Sequence, residues 1–71
     1  MLTITLYSRY SRATAKVRIP SEAGPPSGRP YVVLSKNQDR RARRRARLVE
    51  GDYWLYATDP EGERYDVAVM A

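Results

Sequence analysis

Residues 36–49 read KNQDRRARRRARLV and hold seven of the chain's thirteen basic residues against a single acid, Asp39. Cations packed this closely repel one another, and burying them without partners would be very costly. They must therefore face water, carboxylates of the same chain or an external polyanion. The conformation of this stretch, which we call the basic segment, decides the fold prediction.

The residues at the ends of the basic segment predict a helix over residues 36–49. Ser35 and Gln38 have the spacing of a capping box, in which each side chain bonds the backbone amide of the other residue. Asp39 would lie in the first turn, where the helix dipole favours a negative charge. Ala and Arg are strong helix formers, and Gly51 stands near the position after a helix end that glycine commonly occupies.

An apolar stripe of Ala42, Ala46 and Val49 would let this helix rest on a sheet. The alternative is that the basic segment is a strand, with Arg43, Arg45 and Arg47 on the same face. That alternative would give a small all-β barrel or meander in place of a fold with a helix. Short Arg-rich β-ribbons also bind nucleic acid, so the two conformations predict different folds but similar functions.

The rest of the chain predicts strands joined by turns. Apolar and polar residues alternate with the period of two that is typical of a strand with one buried face. Residues 20–30 hold four prolines and two glycines and predict a loop, while Asp-Pro-Glu-Gly at 59–62 fits a type I turn. The predicted strands are residues 2–8, 14–19, 31–34, 52–58 and 65–70.

Together these elements predict an α+β fold in a single domain of residues 1–71. The expected order is β-β-loop-β-α-β-β, with a mostly antiparallel sheet, one Arg-rich helix and an acidic β-hairpin at 50–71. A chain this small buries only about 60% of its unfolded surface, so an oligomer or a bound partner would add stability. A homodimer in which the first hairpin is exchanged between two chains is left open as an alternative.

The aromatic residues at 52–58 supply part of the predicted core. A period of two places Leu55 and Ala57 on one face of this strand and Trp54 and Tyr56 on the other. We expect Trp54 and Tyr56 to be partly buried, because a small protein without Phe must build its core from other large side chains.

The composition argues against an enzyme. The chain has no Cys and no His, so the commonest general base, the thiol nucleophile and the soft metal ligands are missing. No glycine-rich phosphate loop is present, and Asp59 and Asp66 lack the spacing of a calcium loop. We therefore expect no catalysis, no cofactor and no metal. Because the chain has neither a signal-peptide pattern nor an apolar run of ~20 residues, we expect a cytoplasmic protein without a membrane partner.

Arginine outnumbers lysine eleven to two, and arginine is suited both to bidentate phosphate contacts and to stacking on bases. Neutralising phosphates releases counterions, which favours binding more strongly as contacts accumulate. The composition therefore predicts a non-catalytic nucleic-acid-binding protein in which cations contact phosphates and tyrosines stack on bases. The predicted binding residues are Arg40, Arg41, Arg43, Arg44, Arg45, Arg47, Lys36, Arg9, Arg12, Lys16, Arg18, Tyr7 and Tyr10.

Residues 37–47, NQDRRARRRAR, resemble the arginine-rich RNA-binding peptides of phage antiterminators in composition and in their short polar lead-in. The resemblance covers this stretch alone, and it implies RNA as the target in preference to duplex DNA. Asn37 and Gln38 would then be placed to read base edges, although polar residues at a helix start are more often caps.

Six of the eight acidic residues lie at 50–71, close in sequence to the basic segment. They could pair with the arginines internally, or they could turn this hairpin away from nucleic acid and orient the bound partner. The alternative function is a small basic protein-binding inhibitor or adaptor, of the phage-encoded anti-CRISPR or host-takeover type. Such a protein would dock its arginines on an acidic or RNA-loaded host complex.

Overall fold

Five strands and one helix make up the part of the chain that the computed structural model describes, residues 2–19 and 31–70. The predicted α+β class and the order of elements are confirmed, and the strand alternative for the basic segment is wrong. The predicted loop at 20–30 lies outside the described residues. The elements are β1 (Leu2–Ser8), β2 (Thr14–Ile19), β3 (Tyr31–Leu34), α1 (Lys36–Ala46), β4 (Trp54–Thr58) and β5 (Arg64–Val69).

The strands form one sheet in the order β2-β1-β4-β5-β3. Three of its neighbouring pairs are antiparallel, and β3 pairs with β5 in parallel. The sheet curls so that α1 lies against both edge strands, β2 and β3. Sequence alternation indicates where strands are but not which strands are neighbours, which is why the parallel pair was not foreseen.

One face of the sheet packs on α1 to form the core. Side chains at alternate positions of β1 and β2 point to this face, and Ala42 brings the helix close because its side chain is small. Burying apolar surface in this way stabilises the fold by about 25 cal/mol per Å². The buried apolar residues are Ile4, Leu6, Ala15, Ile19, Val32, Leu34, Ala42, Trp54 and Ala57.

Strand β4 departs from strict alternation. Trp54 and Ala57 are both buried although they lie three positions apart. The pairing with β1 shifts here, since consecutive residues of β1 lie opposite Tyr56 and Trp54, leaving Leu55 without a partner and 43% exposed. The predicted grouping of Leu55 with Ala57 on one face is therefore wrong, because a β-bulge adds one residue to the strand. The expected burial of Trp54 is confirmed, and Tyr56 is half-buried.

The predicted capping box begins α1. The Gln38 amide donates to the Ser35 hydroxyl at 3.1 Å, and the Ser35 amide donates to Gln38 Oε1 at 2.9 Å. Asp39 lies in the first turn as predicted, where its carboxylate also accepts a hydrogen bond from Trp54 Nε1 at 2.9 Å. The hydrogen bond from the Trp54 indole to Asp39 therefore holds the start of the helix over this core residue.

The helix ends at Ala46, three residues earlier than predicted. Arg47 adopts the left-handed conformation with φ of 56°, and the Leu48 amide donates to the Arg43 carbonyl at 2.9 Å. Val49 therefore leaves the predicted apolar stripe and is 59% exposed. The stop comes from an arginine in a conformation that glycine favours, which sequence patterns do not indicate.

We expect Arg47→Gly to raise the free energy of unfolding by about 0.5–1 kcal/mol, because glycine adopts the left-handed conformation without a steric cost. The control Arg44→Gly removes the same charge inside α1 and should lower the free energy of unfolding by about 1 kcal/mol. Urea denaturation measures both changes. Similar destabilisation by the two substitutions would contradict the expectation.

Asp52 ties the turn between β1 and β2 to the start of β4. Its buried carboxylate accepts hydrogen bonds from the amides of Tyr10, Ser11 and Tyr53 at 2.7–3.0 Å and from the Ser11 hydroxyl. Burial alone would raise the pKa of Asp52, but the Ser11 hydroxyl and these amides stabilise the ionised form and lower the pKa to about 2. This carboxylate therefore stabilises the fold by joining the β1–β2 turn to the start of β4.

Candidate nucleic-acid interface

A groove of about 540 Å³ runs between α1 and β2, and four of the residues that line it are basic. Lys16 and Arg18 come from the strand, while Arg41 and Arg45 come from the helix. None of the lining residues is acidic. We call the surface formed by these four residues the basic groove. A concave surface with cations on both walls concentrates positive potential, which attracts polyanions.

Periodicity brings the four cations together. Arg41 and Arg45 are four positions apart and share one side of α1, and Lys16 and Arg18 are two positions apart and share one face of β2. The helix is held along the strand by two hydrogen bonds to edge carbonyls. Gln38 Nε2 donates to the Arg18 carbonyl at 3.2 Å, and Arg45 Nη1 donates to the Lys16 carbonyl at 2.9 Å. These bonds also cover an edge that would otherwise be open to another strand.

Gln38 thus has two structural roles, in the capping box and against β2. The idea that Gln38 reads base edges stays a prediction, but its amide group is already engaged by the backbone. Asn37 beside it is exposed. The bond from Gln38 explains why the helix start lies at the Arg18 end of β2.

The remaining cations of α1 divide into two groups. The side chain of Arg43 is only 35% exposed. Its Nε atom lies 2.9 Å from Asp39 Oδ2, and its Nη1 atom donates a hydrogen bond to the Asp52 carbonyl at 2.8 Å. Arg43 therefore joins the helix to the residues before β4. The other cations of the basic segment are exposed and lie outside the lining of the basic groove: Lys36, Arg40, Arg44 and Arg47.

The acidic hairpin does not neutralise the basic segment. Within residues 2–19 and 31–70 the single ion pair joins Arg43 to Asp39, and both residues belong to α1. Asp59 is used by its own turn, where it accepts hydrogen bonds from the amides of Glu61 and Glu63 and from the Tyr65 hydroxyl. Although burial opposes the change, these bonds lower the pKa of Asp59. Apart from Arg43, no described guanidinium group of the basic segment forms an ion pair with a carboxylate of the chain.

Tyr7 lies on the face of the sheet opposite α1, in contact with Tyr56 of the neighbouring strand β4. Its ring stacks on Tyr56 with centroids 4.8 Å apart and an angle of 20° between the planes. The Arg64 guanidinium lies over Tyr56 at 4.2 Å from the ring centroid. We call Tyr7, Tyr56 and Arg64 the stacked column.

Tyr10 lies elsewhere, in the turn between β1 and β2, and is 66% exposed. It meets Tyr53 edge to face at 5.9 Å, and the Arg9 guanidinium lies 5.5 Å from its centroid. Arg12 in the same turn is exposed with φ of 55°. Tyr7 and Tyr10, which were predicted as one kind of stacking residue, thus belong to two separate surfaces.

Sequence reasoning missed Arg64 and Tyr56 as members of a candidate site. The signal for Arg64 was its position beside Tyr65. Successive side chains of a strand alternate between the two faces, so the inward Tyr65 places Arg64 on the outer face. Tyr56 was treated as a core residue, because the bulge that turns it outward cannot be read from alternation.

No family model matches the chain, and neither the curated proteins nor the solved structures give a match. The functional inference therefore rests on the charge and geometry of the described residues. Of these, α1 forms the one helix, and with eleven mainly polar residues it is too short and too hydrophilic to cross a bilayer.

Proposed function

We propose that this protein is a small non-catalytic nucleic-acid-binding protein of the cytoplasm that favours RNA over duplex DNA. The observation that carries the proposal is the basic groove, in which Lys16, Arg18, Arg41 and Arg45 surround a concave surface without an acidic neighbour in its lining. Phosphates are the ligands that such a set of cations recognises, since each contact releases a condensed counterion. The exposed arginines on the rest of α1 extend the positive field.

The preference for RNA is supported by the type of cation and by the aromatic residues nearby. Arginine predominates in the groove, and its planar guanidinium can both bind a phosphate and stack on a base. The stacked column offers aromatic surface on the same sheet as β2. RNA loops and single strands present unpaired bases to such surfaces, whereas duplex DNA does not.

A salt titration tests the proposal directly. Filter binding of the purified protein to a single-stranded RNA, an RNA hairpin and a DNA duplex of equal length should show log affinity falling linearly with log salt. Five or six phosphate contacts predict a slope of about −4 on the single strand and about −5 on a duplex. We expect the RNA ligands to bind more tightly than the DNA duplex. A flat salt response would reject nucleic-acid binding.

The alternative is a protein-binding inhibitor or adaptor that docks on an acidic or RNA-loaded complex, and a second observation supports it. Large apolar side chains are exposed around the β1–β2 turn and the connection to β4, including Tyr10, Val49 and Tyr53 at 44–66% exposure. Exposed apolar side chains near one another are typical of protein contact surfaces. Pull-down from lysate with and without nuclease separates the two functions, because only a protein partner survives nuclease treatment.

A further inference from the structure

The face of the sheet opposite α1 is polar, aromatic and uncovered by any described element. None of its side chains on β1, β2, β4 and β5 is buried, although β1, β2 and β4 bury residues of their other face in the core and β5 packs Tyr65 and Val67 against it. The face carries threonine hydroxyls, cations, the Asp66 carboxylate and the rings of the stacked column. Its cations are Lys16, Arg18 and Arg64.

The stacked column crosses this face and has one open end. The Tyr56 ring is stacked on Tyr7 and is covered by the Arg64 guanidinium, so neither face of this ring is left for a ligand. Tyr7 has no second aromatic or cationic neighbour over its ring among the residues that the structure describes. Its hydroxyl lies 3.3 Å from Thr58 Oγ1, which holds the ring in place. Tyr7 itself is half-buried, and we call the ring face turned away from Tyr56 its free face, because no described aromatic or cationic side chain lies over it.

The open end of the column faces β2, the strand that also lines the basic groove. Tyr7 lies opposite Thr14 in the sheet, and the next outward residue along β2 is Lys16, opposite Thr5. Thr14 is exposed and has a small side chain. Lys16 and Arg18 border both the outer face and the groove. The cations of β2 and the stacking ring of β1 thus lie beside each other on neighbouring strands.

We propose that one base of a single-stranded RNA stacks on the free face of Tyr7, while the phosphates next to it lie on Lys16 and Arg18 and continue into the basic groove. The inference deepens the proposed function and rests on it. A ring with a free face beside cations fits a flat π-system joined to phosphates, which is the chemistry of a nucleotide. The base must be unpaired, because a duplex keeps its bases inside the helix and cannot offer one to a flat sheet.

The test compares Tyr7→Leu with Tyr7→Phe in binding to octauridine. Tyr7→Leu removes the ring, and we expect roughly tenfold or greater loss of affinity at every salt concentration, with an unchanged salt slope. Tyr7→Phe keeps the ring and should bind within about twofold of the wild type. Tyr53→Leu is the matched control, because it removes an exposed tyrosine outside the column. Equal affinity of the leucine and phenylalanine variants at position 7 would overturn the inference.

A second measurement uses the unmodified chain and does not depend on the folding of a variant. Octauridine carrying 5-bromouridine is crosslinked by ultraviolet light, and the modified peptide is identified by mass spectrometry. Crosslinking at Tyr7 supports the stacked base, and crosslinking confined to Tyr10 or Tyr53 contradicts it. If octauridine binds with a steep salt slope but Tyr7 is not involved, the stacking inference fails and the proposed function stands. If neither RNA nor DNA binds, both fail.

Discussion

The substitutions K16Q/R18Q/R41Q/R45Q, made together, are expected to weaken binding of single-stranded RNA by about two to three orders of magnitude at 0.1 M salt, because four phosphate contacts are removed. The salt slope should become shallower by about 3 for the same reason. These four residues come from two elements and meet only in the folded protein. The four substitutions therefore remove the positive charge of the basic groove, while most cations of the basic segment remain.

The matched control is K36Q/R40Q/R44Q/R47Q, which also removes one lysine and three arginines. All four of these residues are exposed and lie outside the groove lining. We expect this variant to lose roughly tenfold or less in affinity, with a slope change below about 1. Filter binding across salt concentrations measures both variants, and circular dichroism checks that each is folded. Equal losses would mean that a diffuse positive field, and not the groove, binds the nucleic acid.

The Asp52→Asn variant is expected to lower the melting temperature by about 10 °C at pH 7, because it leaves buried donors without an acceptor. The carboxylate accepts bonds from three backbone amides and the Ser11 hydroxyl. An asparagine amide of the same shape presents N–H groups to some of these donors. Glu50→Gln is the control, since Glu50 is an exposed carboxylate nearby, and it should change the melting temperature by less than about 3 °C.

The effect of Asp52 should depend on pH in a predictable direction. Its pKa in the folded protein, about 2, lies below the ordinary value of 3.8. The ionised carboxylate therefore stabilises the fold fully above about pH 4, and that stabilisation is lost as the pH falls through the folded-state pKa. Melting curves of wild type and D52N should differ most at pH 5–7 and converge toward pH 2. A difference that is independent of pH would contradict the role assigned to this carboxylate.

Local signals predicted much of the fold. The capping box of Ser35 and Gln38, the turn at 59–62 and the alternation in β1 and β2 all depend on residues close in sequence. The Gly62 amide donates to the Asp59 carbonyl at 2.9 Å, as the type I turn requires. Such elements can be predicted because short-range sterics and hydrogen bonds decide them.

The candidate site was predicted less completely than the fold. The composition singled out the cations, but it could not separate Arg43, which is bonded to Asp39 and to the Asp52 carbonyl, from the exposed arginines beside it. It also treated Tyr7 and Tyr10 alike, although one stacks on Tyr56 and the other lies in a turn. These differences depend on residues far apart in sequence, so no local pattern carries them.

By itself, the sequence determined that the chain holds strands with one apolar face and more arginine than its own carboxylates can neutralise, and it favoured a capped basic helix over a strand for the basic segment. Tertiary structure alone decided that β3 pairs in parallel with β5, that a bulge turns Tyr56 outward, and that α1 lies along β2 with four cations around one groove. The physical reason is that charge and periodicity are properties of neighbouring residues. A groove and a stacked column are made by side chains whose distance is set by how the sheet closes on its helix.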